Sequence, residues 1–136
     1  MSNKDIVKYF YEVVVSENLL NKLPQYISED CYQMAGESKS YIGIDGMRQH
    51  LEAIRKTYPD IKMKIIRQFE DGDTVISEFI MRGTHIGEFI GITPTNKVIE
   101  ITGVDIDRVV DKKIVEHGGA TNTFDAFWEN GLIRPV

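Results

Sequence analysis

Cysteine is almost missing from this chain: Cys31 stands alone among 136 residues, so no internal disulfide can form and a buried structural thiol is expected. Basic charge is also scarce, with 16 Lys and Arg against 21 Asp and Glu and a net charge of −5. Phosphate backbones are held by clustered Lys and Arg, so no nucleic-acid partner is expected. Long apolar runs are absent too. Val13-Val14-Val15 is among the longest, far short of the roughly 20 residues that cross a bilayer. No charged start leads into an apolar signal core, so no membrane association and a cytoplasmic location are expected. The three histidines, His50, His85 and His117, have no metal-ligand spacing with other His, Cys or carboxylate residues, and no metal site is expected.

What remains is 42% hydrophobic, enough to form a core, in a length that suits one domain over residues 1–136. Ser2-x-x-Asp5 reads as a capping box, and Ile6, Tyr9, Phe10, Val13 and Val14 follow at helical spacing, which predicts a helix over about residues 3–16. A second apolar face contains Leu19, Leu20, Leu23, Tyr26 and Ile27; Pro24 there fits only near a helix start or a kink. Residues 31–36 read as a short strand, followed by a polar loop from Glu37 to Ser40. Gly43-Ile44-Asp45-Gly46 opens a third helix that carries Met47, His50, Leu51 and Ile54 on one side and ends at Tyr58-Pro59-Asp60.

Beyond Asp60 the period changes to two, through Ile61, Met63 and Ile65, and strands are expected. Asp71-Gly72-Asp73 and Asp111-Lys112 mark tight turns between strands. Phe124, Phe127 and Trp128 suggest a closing helix or packed tail. Helices first and strands afterwards is an α+β order.

One segment is more particular than its surroundings: Arg82-Gly83-Thr84-His85-Ile86-Gly87-Glu88-Phe89-Ile90-Gly91-Ile92-Thr93-Pro94-Thr95. Its glycines and proline call for one defined backbone shape. The segment resembles the RGTHxGxFxGIxPT pattern of SnoaL-like polyketide (ester) cyclases. Other stretches are similar to the same family in order along nearly the whole chain. They are Phe10-Tyr11-Glu12, Gly43-x-x-Gly46-x-Arg48, Tyr58-Pro59-Asp60, Thr102-Gly103-Val104-Asp105-Ile106, and Arg108 with Asp111 to His117. The resemblance implies the cone of the nuclear-transport-factor-2-like superfamily, a strongly curved antiparallel sheet with N-terminal helices enclosing a cavity. It also implies a small apolar or polyketide-like ligand, no cofactor, and a homodimer formed through the outer sheet face.

In family cyclases the Asp of an E-H-W-x-x-x-D pattern acts as general acid/base. Here the segment runs Glu116-His117-Gly118-Gly119-Ala120-Thr121-Asn122, so Asn122 stands at the Asp position and Gly118 at the Trp position. A neutral amide holds hydrogen bonds but carries no proton through a catalytic cycle. A pocket His on the first strand of many members falls near Met34, which does not titrate either.

Once the Asp and His positions are altered, Asp105 is the best remaining candidate acid/base, with a pKa raised by an apolar cavity; the alternative is a carboxylate that only holds the hairpin. With Asp111-Lys112 as a two-residue turn, Asp105 falls opposite Gly118. Asp105 and Asp107 then share a face with Glu116, Gly118 and Asn122, while His117 and Arg108 lie on the other. On this reading His117 is structural or interfacial, and Arg108 pairs with Glu78 or Glu100. Met34, His85, Phe89, Gly118 and Trp128 are the candidate ligand contacts, with Trp128 or a ligand ring filling the space beside Gly118. Tyr9, Tyr32, Tyr41 and Phe79 are further possible wall residues.

The function expected is small-molecule binding with cofactor-independent proton transfer next to a carbonyl, as in cyclisation or isomerisation. Asp105 is the base, and Asn122 with a tyrosine polarises the oxygen. A non-catalytic module holding an apolar ligand in the same cavity is the alternative.

Overall fold

The computed structural model describes all residues from Met1 to Val136. The capping box forms as predicted: Ser2 Oγ accepts from the Asp5 amide at 3.1 Å, and the Asp5 carboxylate accepts from the Ser2 amide at 3.1 Å. Helix α1 (Asn3–Tyr9) continues directly into a π-helical segment, Phe10–Val15, a wider turn that often marks functional sites. The Ser16 hydroxyl secures its end, donating to the Tyr11 carbonyl at 2.8 Å while accepting from the Met63 amide at 2.8 Å. A 3₁₀ turn (Leu20–Lys22) precedes the short α2 (Leu23–Tyr26), where Pro24 sits in the first turn and sacrifices no intrahelical bond.

Strand β1 (Ile27–Ala35) is longer than its predicted counterpart, and the stretch expected as a polar loop is largely taken up by a second strand, β2 (Ser38–Tyr41). All four residues of β2 are exposed, so it lacks the apolar alternation that reveals a strand. Helix α3 (Gly43–Thr57) follows, then β3 (Lys62–Asp71), β4 (Thr74–Thr84), β5 (Val98–Val110), β6 (Lys113–Thr121) and α4 (Thr123–Glu129).

The six strands form one sheet in the order β2-β1-β6-β5-β4-β3. It is mixed rather than wholly antiparallel, because β1 runs parallel to β6. The chain reaches β6 from β1 through α3 and the β3–β5 meander, and this long connection allows the parallel pairing. Register shifts interrupt the β1–β6, β3–β4 and β5–β6 pairs. Such bulges bend and twist a sheet, and the result is the strongly curved α+β architecture expected.

Alternation along β5 places Ile99, Ile101, Gly103, Asp107 and Val109 in the interior and leaves Val98, Val104, Ile106 and Val110 exposed. On the concave side α1, the π-helical segment and α3 cover the sheet. Val7, Phe10, Val14, Leu23, Ile27, Cys31, Met47, Val75 and Ile114 pack together there. Each large apolar side chain buried this way contributes roughly 1.5–3 kcal/mol. A smaller cluster of Tyr58, Ile61, Ile99, Ile101, Ala126 and Phe127 joins the end of α3 to α4.

Candidate active site

The two clusters flank a cavity of about 650 Å³, walled by Phe10, Tyr11 and Val15 of the π-helical segment and by Met47, His50, Leu51 and Ile54 of α3. Phe79, Met81 and Ile101 come from β4 and β5, and Tyr58, Ile61, Met63, Glu88, Phe89 and Ile90 complete much of the rest. Most of this wall is apolar. Its titratable exceptions include Asp105, His117, Tyr11 and His50.

Asp105 is therefore in the cavity, as β5 parity predicts, but its partner strand is displaced. Asp105 pairs with Gly119, not Gly118, and Asp107 pairs with His117. The turn has the expected two residues, with Asp111 and Lys112 both at positive φ. The register instead slips between Arg108 and Val109: Val109 faces Ile114 while Arg108 faces Glu116, leaving Val115 as the extra residue of a bulge. Every β6 side chain beyond it changes face. His117 consequently turns into the cavity, whereas Glu116 and Gly118 lie on the convex side. A signal for this was available: the straight register puts Asp105, Asp107 and Glu116 on one buried face with no cation.

The Asp107 carboxylate, fully buried, ties the group together. Tyr11 Oη donates to Asp107 Oδ2 at 2.6 Å, and His117 Nδ1 donates to Asp107 Oδ1 at 2.8 Å. With Nδ1 committed to the carboxylate, Nε2 is the nitrogen of His117 left for chemistry. Burial opposes the imidazolium, yet the charge and hydrogen bond of Asp107, with Asp105 nearby, outweigh it and hold the His117 pKa up at about 9. Burial also disfavours the Asp105 carboxylate; His117 offsets only part of this, and Asp105 titrates at about 6. Tyr11 is pushed well above the ordinary phenol range by burial and by the Asp107 and Asp105 charges, so it serves as a neutral donor. No group of three or more His, Cys, Asp or Glu side chains converges in a metal-binding arrangement.

Of the other predicted contacts, Phe89 lines the cavity. Asn122 does not: it precedes α4 on an exposed stretch, and its side-chain amide donates to Thr102 Oγ1 at 2.8 Å. Met34 and Gly118 line a separate groove on the convex face, where β1 runs against β6. A Cβ at Gly118 would lie 2.7 Å from the Met34 carbonyl oxygen, so this glycine accommodates a neighbouring strand and not an aromatic ring. Trp128 is half exposed and stacks on Phe124 with ring centres 6.1 Å apart. Phe127, one residue earlier, takes the inward position and meets Phe89 edge-on at 5.8 Å. His85 is fully buried behind the wall, with Nδ1 3.1 Å from Thr95 Oγ1 and its ring between Tyr58 and Phe127. Tyr9, Tyr32 and Tyr41 lie outside the cavity; Phe10, Tyr11, Tyr58 and Phe79 are wall residues. Arg108 pairs with Asp73 at 2.9 Å and approaches Glu116 at 3.8 Å, not Glu78 or Glu100, because these acids lie next to it in the observed ladder.

The glycine-rich segment shapes the mouth. The Ile86 and Gly87 amides both donate to the Thr57 carbonyl, at 3.0 and 3.1 Å, and a Cβ at Gly87 would collide with the Lys56 carbonyl. Phe89 and Ile92 then pair across a two-residue tip of Ile90 and Gly91, both at positive φ. The Glu88 carboxylate accepts from the Gly91 amide at 2.8 Å and fixes the tip, while Ile90 is 80% exposed at the rim.

A curved mixed sheet with helices over its concave face and a deep, acid-bearing cavity defines the class: a cone-shaped nuclear-transport-factor-2-like α+β protein. The SnoaL-like polyketide cyclase family model matches residues 5–128, and the chain belongs to this family. Among solved structures, it is similar to wild-type IdmH of Streptomyces antibioticus, named as a candidate polyketide cyclase, with a TM-score of 0.82 and 24% identity over 96% of this chain and 99% of that one. A candidate polyketide cyclase from Acidithiobacillus ferrooxidans matches with a TM-score of 0.81 and 21% identity, over 95% and 96% of the two chains. AclR of Streptomyces galilaeus, named as a candidate hydroxylase, matches with a TM-score of 0.82 and 22% identity over 97% of each chain. At these identities the likeness carries the fold. No curated protein matches the chain.

Proposed function

We propose that this protein is a cofactor-independent enzyme of the cyclase or isomerase type, moving a proton at a carbon next to a carbonyl, with Asp105 as base and His117 as the cationic partner of the oxygen. The observation that carries this reading is a carboxylate and an Asp107-bound imidazole lining one apolar cavity, with burial holding the Asp105 pKa up at about 6 and Asp107 holding that of His117 up at about 9. At neutral pH Asp105 is mostly ionised and His117 protonated, the states a base and an oxyanion partner need.

In the step proposed, an Asp105 oxygen takes the α-proton, the C–H bond breaks, and its electron pair moves through carbon to the carbonyl oxygen as an enolate. His117 Nε2–H stabilises that oxygen without reorganising, because Asp107 and Tyr11 already fix the ring. Return of the proton from Asp105 to another carbon completes an isomerisation. Ring closure requires attack of the enolate carbon on a second carbonyl of the same molecule, with His117 delivering its proton to the new alkoxide. Proton transfer from Asp105 back to His117 then restores both groups. Asn122 has no part in this scheme, since its amide is held by Thr102 on the outside.

The test needs no knowledge of the natural substrate. 2-Tetralone, a bicyclic enolisable ketone, is incubated with the protein in D₂O, and α-proton exchange is followed by NMR. Exchange well above the buffer rate is expected, with a loss of about 100-fold or more in Asp105→Asn. Wild-type exchange in that variant, or none by the wild type, contradicts the reading. The exposed apolar row Val98, Val104, Ile106 and Val110 on the convex face supports pairing of two copies through that face.

A further inference from the structure

His50 interrupts an apolar stripe. Met47, His50, Leu51 and Ile54 face the cavity at helical spacing on α3, and His50 is the titratable member of that set. The imidazole hydrogen bonds of the structure belong to His85 and His117; His50, whose ring is exposed on the open cavity wall, has none within the protein. Its ring centre lies 6.4 Å from that of His117, with the planes inclined at 57°. The two rings are thus neighbours on the cavity wall without being bonded to each other.

We infer that His50 is a second donor to the reacting oxygen, gripping it from α3 while His117 grips it from β6. An imidazole nitrogen hydrogen-bonds at about 2.9 Å, so rings with centres 6.4 Å apart can both reach one small oxygen held between them. Asp107 orients His117 for that contact, whereas His50 waits for the substrate to supply its partner. His50 keeps its ring open to the cavity, and partial desolvation by the apolar wall, aided by the His117 charge, lowers its pKa from the ordinary imidazole value. His50 is therefore neutral at physiological pH, and the site holds one imidazolium and one imidazole. That composition gives two N–H donors to an enolate oxygen without placing two like charges side by side. The inference rests on the proton-transfer reading of the same cavity and extends it to the helical wall.

The probe is 2-naphthol, whose naphtholate oxygen resembles an enolate on a flat bicyclic frame; naphthalene is the control without oxygen. Binding is measured by calorimetry for the wild type, His50→Leu and His50→Gln, and imidazole ¹⁵N signals are followed by NMR in the wild type. The expected result is 2-naphthol affinity about tenfold or more lower in His50→Leu, partial recovery in His50→Gln, naphthalene affinity within about twofold throughout, and movement of the His50 and His117 signals on naphthol binding. Equal 2-naphthol affinity in His50→Leu and the wild type, or His50 signals that stay still while those of His117 move, overturns the inference. Loss of naphthalene and 2-naphthol affinity in parallel also overturns it, since His50 would then be shaping the wall only. Asp105→Asn separates the two proposals: the proton-transfer reading fails if 2-tetralone exchange survives that change, whatever the naphthol result for His50.

Discussion

Asp105 and Gly119 face each other across the β5–β6 ladder, and the Asp105 carboxylate occupies the place where a side chain at 119 would begin. The diglycine of β6 thus answers two separate crowding problems. Gly118 makes way for the Met34 backbone on the convex side, and Gly119 makes way for the proposed base on the concave side. A Cβ at 119 would also meet the Val104 carbonyl, so Gly119→Ala should push Asp105 out of position and strain the β5–β6 ladder locally, with the two apolar clusters untouched. The expected outcome is a fall of at least about tenfold in 2-tetralone exchange, with a circular-dichroism spectrum like that of the wild type.

The site should make stability fall as pH rises. The His117 pKa is raised from 6.5 in the unfolded chain to about 9 in the folded one, so its stabilisation is complete below 6.5 and is lost as pH climbs through 9. The nominal size is on the order of 3 kcal/mol. Asp105, raised from 3.8 to about 6, makes the protein lose stability between those values for the same reason: the unfolded chain ionises first. Urea unfolding should show a lower midpoint at pH 9 than at pH 6.5, and His117→Gln should flatten that decline.

Activity should follow a bell. The rising limb belongs to ionisation of Asp105 near 6 and the falling limb to loss of the His117 proton near 9. Exchange of 2-tetralone, corrected for buffer catalysis, measures the profile. A rate that keeps rising through pH 10 would remove His117 from the reaction.

Tyr11→Phe removes a 2.6 Å donor from a fully buried carboxylate. Asp107 then keeps His117 as its side-chain partner, and the deficit should cost about 1–3 kcal/mol of stability by denaturant titration.

Ile106→Arg places a charge in the exposed convex row, on the opposite face of β5 from Asp105 and Asp107. If two copies pair there, light scattering should report a shift from dimer toward monomer, with 2-tetralone exchange per chain largely kept.

Much of this architecture was legible because its signals are local. The capping box at Ser2 and Asp5, the stripe of α3 and the period-two burial of β5 each depend on a few neighbouring residues. The exposed β2 was not legible, since a strand without an apolar face has no alternation to read. In the site, Asp105 followed from β5 alone, but His117 needed the relation between two strands. A single bulge at Val115, invisible to parity counting, reversed its face. Asn122 and Met34 rest on resemblance to a family pattern, and packing directs both away from the cavity. Trp128 yielded its expected place to Phe127 through the rotation of a short helix.

The two amides of Ile86 and Gly87 that share the Thr57 carbonyl have a consequence for how molecules enter. They fasten the base of the glycine-rich segment to the end of α3, and Phe89 and Ile92 pack against the smaller cluster, so the outermost part of the rim is the exposed Ile90–Gly91 tip. Any adjustment of the mouth to a ligand then falls on this one small tip, not on separation of a helix from the sheet. Motions of that size belong to the nanosecond-to-microsecond range. On the proposed mechanism, ligand exchange at the rim should therefore run on the time scale of a loop and not on that of a helix leaving the sheet.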